Sequence, residues 1–169
     1  MALSFLGGIA DRIVLLGGTL AGGCVPGFVA QYRQRVGGRL DQVLADIAPF
    51  QEIANRYHNG SLDELIRYHL ASKDPTFYAE GSALQAMVNA EQGLRHSYES
   101  LQGGIWHQLA YLIPHYDPEI LKAAWGDYIP SITLDFQGLT VALVIGVALW
   151  VLFLGLEWIV VKAGRALVR

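Results

Sequence analysis

Two stretches without a single charged residue, residues 13–30 and residues 136–156, limit what this chain can fold into. Each is roughly 20 residues long, the length a helix needs to cross about 30 Å of hydrocarbon. A backbone in hydrocarbon must satisfy its own N–H and C=O groups, which a helix does and a lone strand does not. The expected architecture is an all-α membrane protein. Two transmembrane helices flank a polar middle that carries nearly all the charge. Charged residues make up only 16% of the chain and mean hydropathy is +0.32, against about 25% charged residues in a typical soluble domain.

The charge pattern predicts five regions: an N-terminal interfacial stub at 1–12, span one at 13–30, an extramembrane helical domain at 31–128, a juxtamembrane segment with span two at 129–160, and a basic tail at 161–169. Net charge is −3 and the pI is about 5.9, so nothing points to nucleic acid. The single cysteine, Cys24, excludes an internal disulfide and a cysteine-based zinc site. Leu20-Ala-Gly-Gly-Cys24 resembles the end of a lipoprotein signal. However, Ala21 stands where a larger apolar residue is expected three positions before the cysteine, so the segment is read as an uncleaved span.

Both spans carry small residues at helical spacing. Span one has Gly18 and Gly22, then Gly23 and Gly27; span two has Gly138, Ala142 and Gly146. Such faces let helices approach closely in lipid, which supplies no hydrophobic push between them. Either the two spans pack on each other within one chain, or one stripe serves a partner subunit or a second copy. Trp150 and Trp158 toward one end of span two, with Trp125 and Tyr128 before the other, suit aromatic belts at the two interfaces.

The middle reads as helix throughout. Tyr32, Val36, Leu40, Val43, Ile47, Phe50, Ile53 and Tyr57 recur at alternating steps of three and four, close to a coiled-coil seam. Pro49 should kink this helix or end it early. Asn59-Gly60 is a stop, and Ser61-Leu-Asp-Glu64 is a capping box opening a short helix. Asp74-Pro75 starts another, with a seam at Phe77, Gly81, Leu84, Val88, Glu91, Leu94, Tyr98 and Leu101 that ends at Gly103-Gly104. Asp117-Pro118 caps a last short helix. Two long helices with facing seams predict an antiparallel, coiled-coil-like hairpin, in which Leu40, Val43 and Ile47 face Leu84, Val88 and Leu94.

Two stretches carry a family resemblance. Pro26-Gly-Phe-Val-Ala-Gln-Tyr-Arg-Gln-Arg-Val-Gly-Gly-Arg-Leu-Asp41 is similar to the opening of a bacterial membrane family described only as domain of unknown function 2937. Asp117-Pro-Glu-Ile-Leu and Ala124-Trp-Gly-Asp-Tyr-Ile-Pro-Ser-Ile-Thr-Leu134 resemble its second motif. The resemblance implies the two-span architecture and brings no activity, catalytic residue or cofactor. Both motifs sit just outside the predicted spans. Gln31, Tyr32, Gln34 and Arg35 on one side and Trp125, Asp127 and Tyr128 on the other are therefore expected to form a polar clasp. Arg33 or Arg35 would pair there with Asp127 or Asp135. The alternatives are a lipid-headgroup site on Arg33, Arg35 and Arg39, or a docking site for a partner.

The five histidines, His58, His69, His96, His107 and His115, all lie in the middle, none three or four residues from another. They are expected to be surface or interface residues, with no metal and no cofactor. No phosphate loop, nucleophile elbow or His-Glu-x-x-His motif is present. The expectation is a non-enzymatic structural or accessory protein of a bacterial inner membrane that self-associates or joins a larger complex. A lipid- or metal-binding module is the alternative. Lys162, Arg165 and Arg169 after span two, with Arg12 before span one, favour both termini in the cytoplasm and the central domain in the periplasm.

Overall fold

The computed structural model describes residues 2–167, with side chains described for residues 10–160 and Lys162. The stub's first residues and the tail's Arg165 and Arg169 therefore fall outside the described side chains. Among the described residues six helices follow one another: α1 Ala2–Tyr57, α2 Leu62–Leu70, α3 Pro75–Ser100, α4 Ile105–His115, α5 Pro118–Gly126 and α6 Phe136–Leu167. Among the described residues there is no strand.

The helix starts are set by side chains that take up the first unpaired N–H groups. The Ser61 hydroxyl accepts from Glu64 N (3.2 Å) and the Asp74 carboxylate from Thr76 N (2.8 Å). Asp117 accepts from both Glu119 N and Ile120 N, and Asp135 accepts from Gly138 N (2.6 Å). The turn after α1 places Asn59 at φ 51° and Gly60 at φ 83°, the left-handed region that ends helices. Gly60 N donates back to Ala54 O.

Pro49 does not end α1. It lies on the solvent-exposed side of the helix, where water can reach the carbonyl that its missing N–H leaves unpaired. The seam pattern does not mark helix α4. Ile105, Gln108 and Leu112 form its buried face.

The chain divides into two compact units, Met1–Gln31 with Leu121–Arg169, and Tyr32–Ile120. In the first unit, α1 and α6 each hold a stretch long and apolar enough to cross a membrane. Their outward residues, among them Leu16, Leu20, Leu143, Leu152 and Leu156, are more than half exposed.

In the second unit, Ala54 of α1, Leu65 and Ile66 of α2 and Leu84 of α3 form a buried cluster. Phe50, Leu62, Leu70 and Val88 pack against it. Gly81 of α3 lies against His69 and Leu70 of α2, where an added Cβ would come 2.8 Å from the His69 Cβ. Further along, Gly37 of α1 meets the ring of Tyr98. The buried positions of α1 in this unit are Tyr32, Val36, Leu40, Ile47 and Ala54.

The strict seam therefore fails at its end. Ala54 is buried while Ile53 and Tyr57 lie outside, and on α3 Phe77 is exposed too. A straight helix turns every 3.6 residues, so a 3.5-residue pattern drifts off the face within a few turns. Leu84 and Val88 pack with Phe50 and Ala54, not opposite Leu40 and Val43.

At the other end of the unit, buried Gln108 donates through Nε2 to the carbonyls of Leu101 (2.9 Å) and Gly103 (2.8 Å). This satisfies acceptors left at the end of α3.

Candidate functional site

In the first unit the small-residue faces of α1 and α6 meet. A Cβ on Gly18 would lie 3.2 Å from Gly146 Cα, and one on Gly22 would lie 3.1 Å from Ala142 Cα and 2.9 Å from Ile145 Cβ. Gly146 faces Thr19, whose hydroxyl donates to Leu15 O (2.7 Å). Gly23 lies against Ile132 and Ala142, and Gly27 against Ser131 and the Tyr128 hydroxyl. Gly138 differs from the expected stripe: its nearest neighbour is the Thr133 carbonyl. It serves the tight entry into α6 that Asp135 caps.

Pro26 removes an N–H from α1. Two nearby carbonyls gain outside donors: Thr133 N donates to Gly23 O (3.3 Å) and the Tyr128 hydroxyl to Cys24 O (2.5 Å). Phe28 stacks edgewise on Trp125 (5.6 Å between centroids) and on Tyr128 (5.3 Å). These rings with Ala21, Cys24, Val25 and Pro130 line an open apolar hollow of about 540 Å³.

The expected clasp is thus divided. Trp125 and Tyr128 close on Phe28, which the sequence reading left out, and Trp125 remains 72% exposed. Asp127 and Gln34 are exposed, while Gln31 and Arg35 are half-buried. The Asp135 carboxylate is engaged as the cap of α6.

Tyr32 belongs to the second unit. It is 3% exposed, and its hydroxyl oxygen accepts from Asp117 N (2.9 Å). Burial raises its phenol above the ordinary value; the Asp117 N–H partly opposes this and the Asp117 charge adds to it. Arg39 and Glu119 form a loose ion pair at 3.6 Å. Between α1 and α3 lies a cavity of about 410 Å³, bounded by Tyr32, Val36, Arg39, Gly93, Ser97, His115 and Asp117 among others.

Four of the five histidines fall into two His–Tyr–His groups. Tyr68 lies between His58 and His69, and Tyr111 lies between His96 and His115, which it stacks at 4.8 Å. His69 also meets Phe77 edgewise, and its Nδ1 sits 3.9 Å from the Glu80 carboxylate. The sequence held one signal for the Tyr32 contact: Asp117 before Pro118 marks a helix start. That its N–H would reach a residue 85 positions away could not be read from it.

The fold and these contacts define an all-helical protein with two helices apolar enough to cross a membrane. Within that class the chain belongs to the family described as "Protein of unknown function (DUF2937)", which it matches over residues 6–166. No curated protein and no solved structure matches it.

Proposed function

We propose that this chain is a non-enzymatic accessory protein of a bacterial inner membrane. Its two spans pack on each other and its helical domain, an antiparallel hairpin of α1 and α3, docks onto other membrane-protein subunits or a second copy. The membrane reading rests on the two uncharged spans, whose outward faces are apolar side chains that lipid would cover favourably. The hairpin reading draws on two meeting points that run in opposite chain directions, Gly37 with Tyr98 and Ala54 with Leu84.

The observation that carries the docking reading is a set of exposed aromatic rings in the second unit. Tyr57 is 75% exposed, Tyr68 64%, Tyr78 54% and Phe77 44%. Tyr68 and Phe77 also share a shallow hollow. Exposed aromatics such as these two are the usual anchors of protein interfaces. The span stripes are a weaker basis for self-association, because Gly18, Gly22, Ala142 and Gly146 already face each other within one chain.

The test is site-specific photocrosslinking in native membranes. A photoreactive side chain at Tyr68 should give one adduct of defined mass, and the same group at the open Gly38 should give none. Equal labelling from both positions, or none from Tyr68, would remove the docking reading.

A further inference from the structure

We propose that, given the membrane reading above, the apolar hollow of the first unit holds one acyl chain of a membrane lipid. Its place along α1 is the first observation. The connection between α5 and α6 is uncharged from Tyr128 to Leu134, between Asp127 and Asp135. Instead of passing over the end of the two spans, it dips along α1. Ser131 and the Tyr128 hydroxyl lie against Gly27, Ile132 lies against Gly23, and Thr133 N donates to Gly23 O (3.3 Å). Gly23 stands ten residues before Arg33, the first charge after span one, which is about 15 Å of helix. The hollow borders Ala21, Cys24, Val25 and Phe28, so it lies along the same uncharged stretch of α1.

The lining is the second observation. None of its residues is charged. Tyr128 gives its one hydroxyl hydrogen to Cys24 O, and Pro130 has no N–H. The polar side-chain atoms left are the Tyr128 oxygen, the Trp125 indole N–H and the Cys24 thiol. The thiol is a weak donor, and Tyr and Trp are the rings that seat at a bilayer boundary. No side chain here balances a charge, and a ligand rich in polar groups would lose its hydration without compensation. Around the hollow Trp125 is 72% exposed, Ile129 82%, Leu134 80% and Phe136 83%, apolar surface that hydrocarbon covers more favourably than water.

The third observation favours a lipid chain over a helix of another protein. Helices in lipid approach closely through small residues. Those of α1, Gly18 and Gly22, already face Gly146 and Ala142. The hollow is walled instead by Phe28 standing edgewise to Trp125 and Tyr128, an irregular surface that a flexible chain can follow and a rigid helix cannot. Its volume of about 540 Å³ is that of a small-molecule site.

An alkaline carbonate wash of native membranes tests the membrane reading by itself, and the chain should stay in the pellet. The full chain is then assembled in nanodiscs of phosphatidylcholine, or of phosphatidylglycerol with the same acyl chains, and released for native mass spectrometry. One retained lipid per chain is expected with either headgroup. Ala21→Phe, at an exposed position on the lining, should lose the lipid and keep the wild-type unfolding midpoint. Leu20→Phe, exposed but outside the lining, should retain it. Trp125→Ala, which removes an exposed wall, should lose it too, and decides the matter if Ala21→Phe does not fold. Extraction by carbonate would overturn the membrane reading and this proposal together. With the chain still in the pellet, the proposal alone is overturned if wild type retains no lipid, if retention requires the phosphatidylglycerol headgroup, or if the folded lining variants retain lipid as wild type does. A dimer that an oxidant crosslinks through Cys24, in place of a retained lipid, would overturn it in favour of a second copy of the chain.

Discussion

Tyr32 concentrates the chemistry of the second unit in one residue. It lies in a motif that the sequence marked only as juxtamembrane, yet its oxygen holds the N–H of Asp117, the residue whose carboxylate starts α5. Removing the hydroxyl leaves that N–H without its partner. Tyr32→Phe should therefore cost on the order of 1 kcal/mol, rising toward about 3 if water cannot reach the group. Thermal or denaturant unfolding of the full chain in detergent would measure it. The phenol also makes a pH prediction. Its folded-state pKa lies above the unfolded value near 10, so the folded state holds the proton more tightly. The stability this confers is fully present below about pH 10 and is lost as pH rises through the elevated folded value. Wild type should lose more stability than Tyr32→Phe between about pH 9 and 11. Parallel curves for the two proteins would refute the assignment.

At the scale of elements, the contact between α1 and α6 is set by glycine. A Cβ on Gly22 would stand 2.9 Å from the Ile145 Cβ and 3.1 Å from backbone of Ala142, while one on Gly17 would meet nothing within 4 Å. Gly22→Leu should thus destabilise the first unit by about 1–3 kcal/mol, as overpacking does in cores. Gly17→Leu should match wild type in the same melting assay. If the two variants behave alike, the glycine face is not a packing face. In the second unit, Leu84 is 1% exposed within the cluster of Ala54, Leu65 and Ile66. Leu84→Ala should cost roughly 2–5 kcal/mol, read by resistance to protease.

Much of this was legible in the chain. Caps and stops are local, so Ser61, Asp74, Asn59-Gly60 and Asp117 marked helix ends that the structure places at the same residues. The seam was legible over Tyr32 to Ile47 and failed beyond Phe50, where helical drift brings Ala54 inward in place of Ile53. Pro49 misled because its effect depends on which side of the helix it faces. The cavity was not legible at all. It is bounded by residues of α1, α3, α4 and the start of α5 that lie far apart in the chain, and no local pattern records which residues of α3 come opposite Tyr32 and Arg39.

For the molecule as a whole, the proposed membrane reading makes its sharpest prediction about which side of the bilayer holds residues 32–120. Lys162 follows span two and sits over the ring of Trp158, with Nζ 4.7 Å from its centroid. This is the arrangement of an interfacial aromatic with a basic neighbour at a span end. Arg165 and Arg169 add to the same end, and Arg12 lies before span one. Against them stand Arg33, Arg35 and Arg39, just after span one. The basic-residue rule weakens for loops longer than about 60 residues, which translocate largely regardless of charge, so the basic residues next to the outer ends of the spans should decide the orientation. Alkaline phosphatase folds only where its disulfides can form, outside the reducing cytoplasm. Fused after Arg169 it should be inactive, and inserted at the Asn59-Gly60 turn it should be active. Replacing Lys162 and Arg165 together with glutamate should weaken that pattern, because it removes the charge that retains the C-terminal end. Activity at Arg169 with none at the turn would place the helical domain in the cytoplasm, and the partners sought for its aromatic surface would then be cytoplasmic.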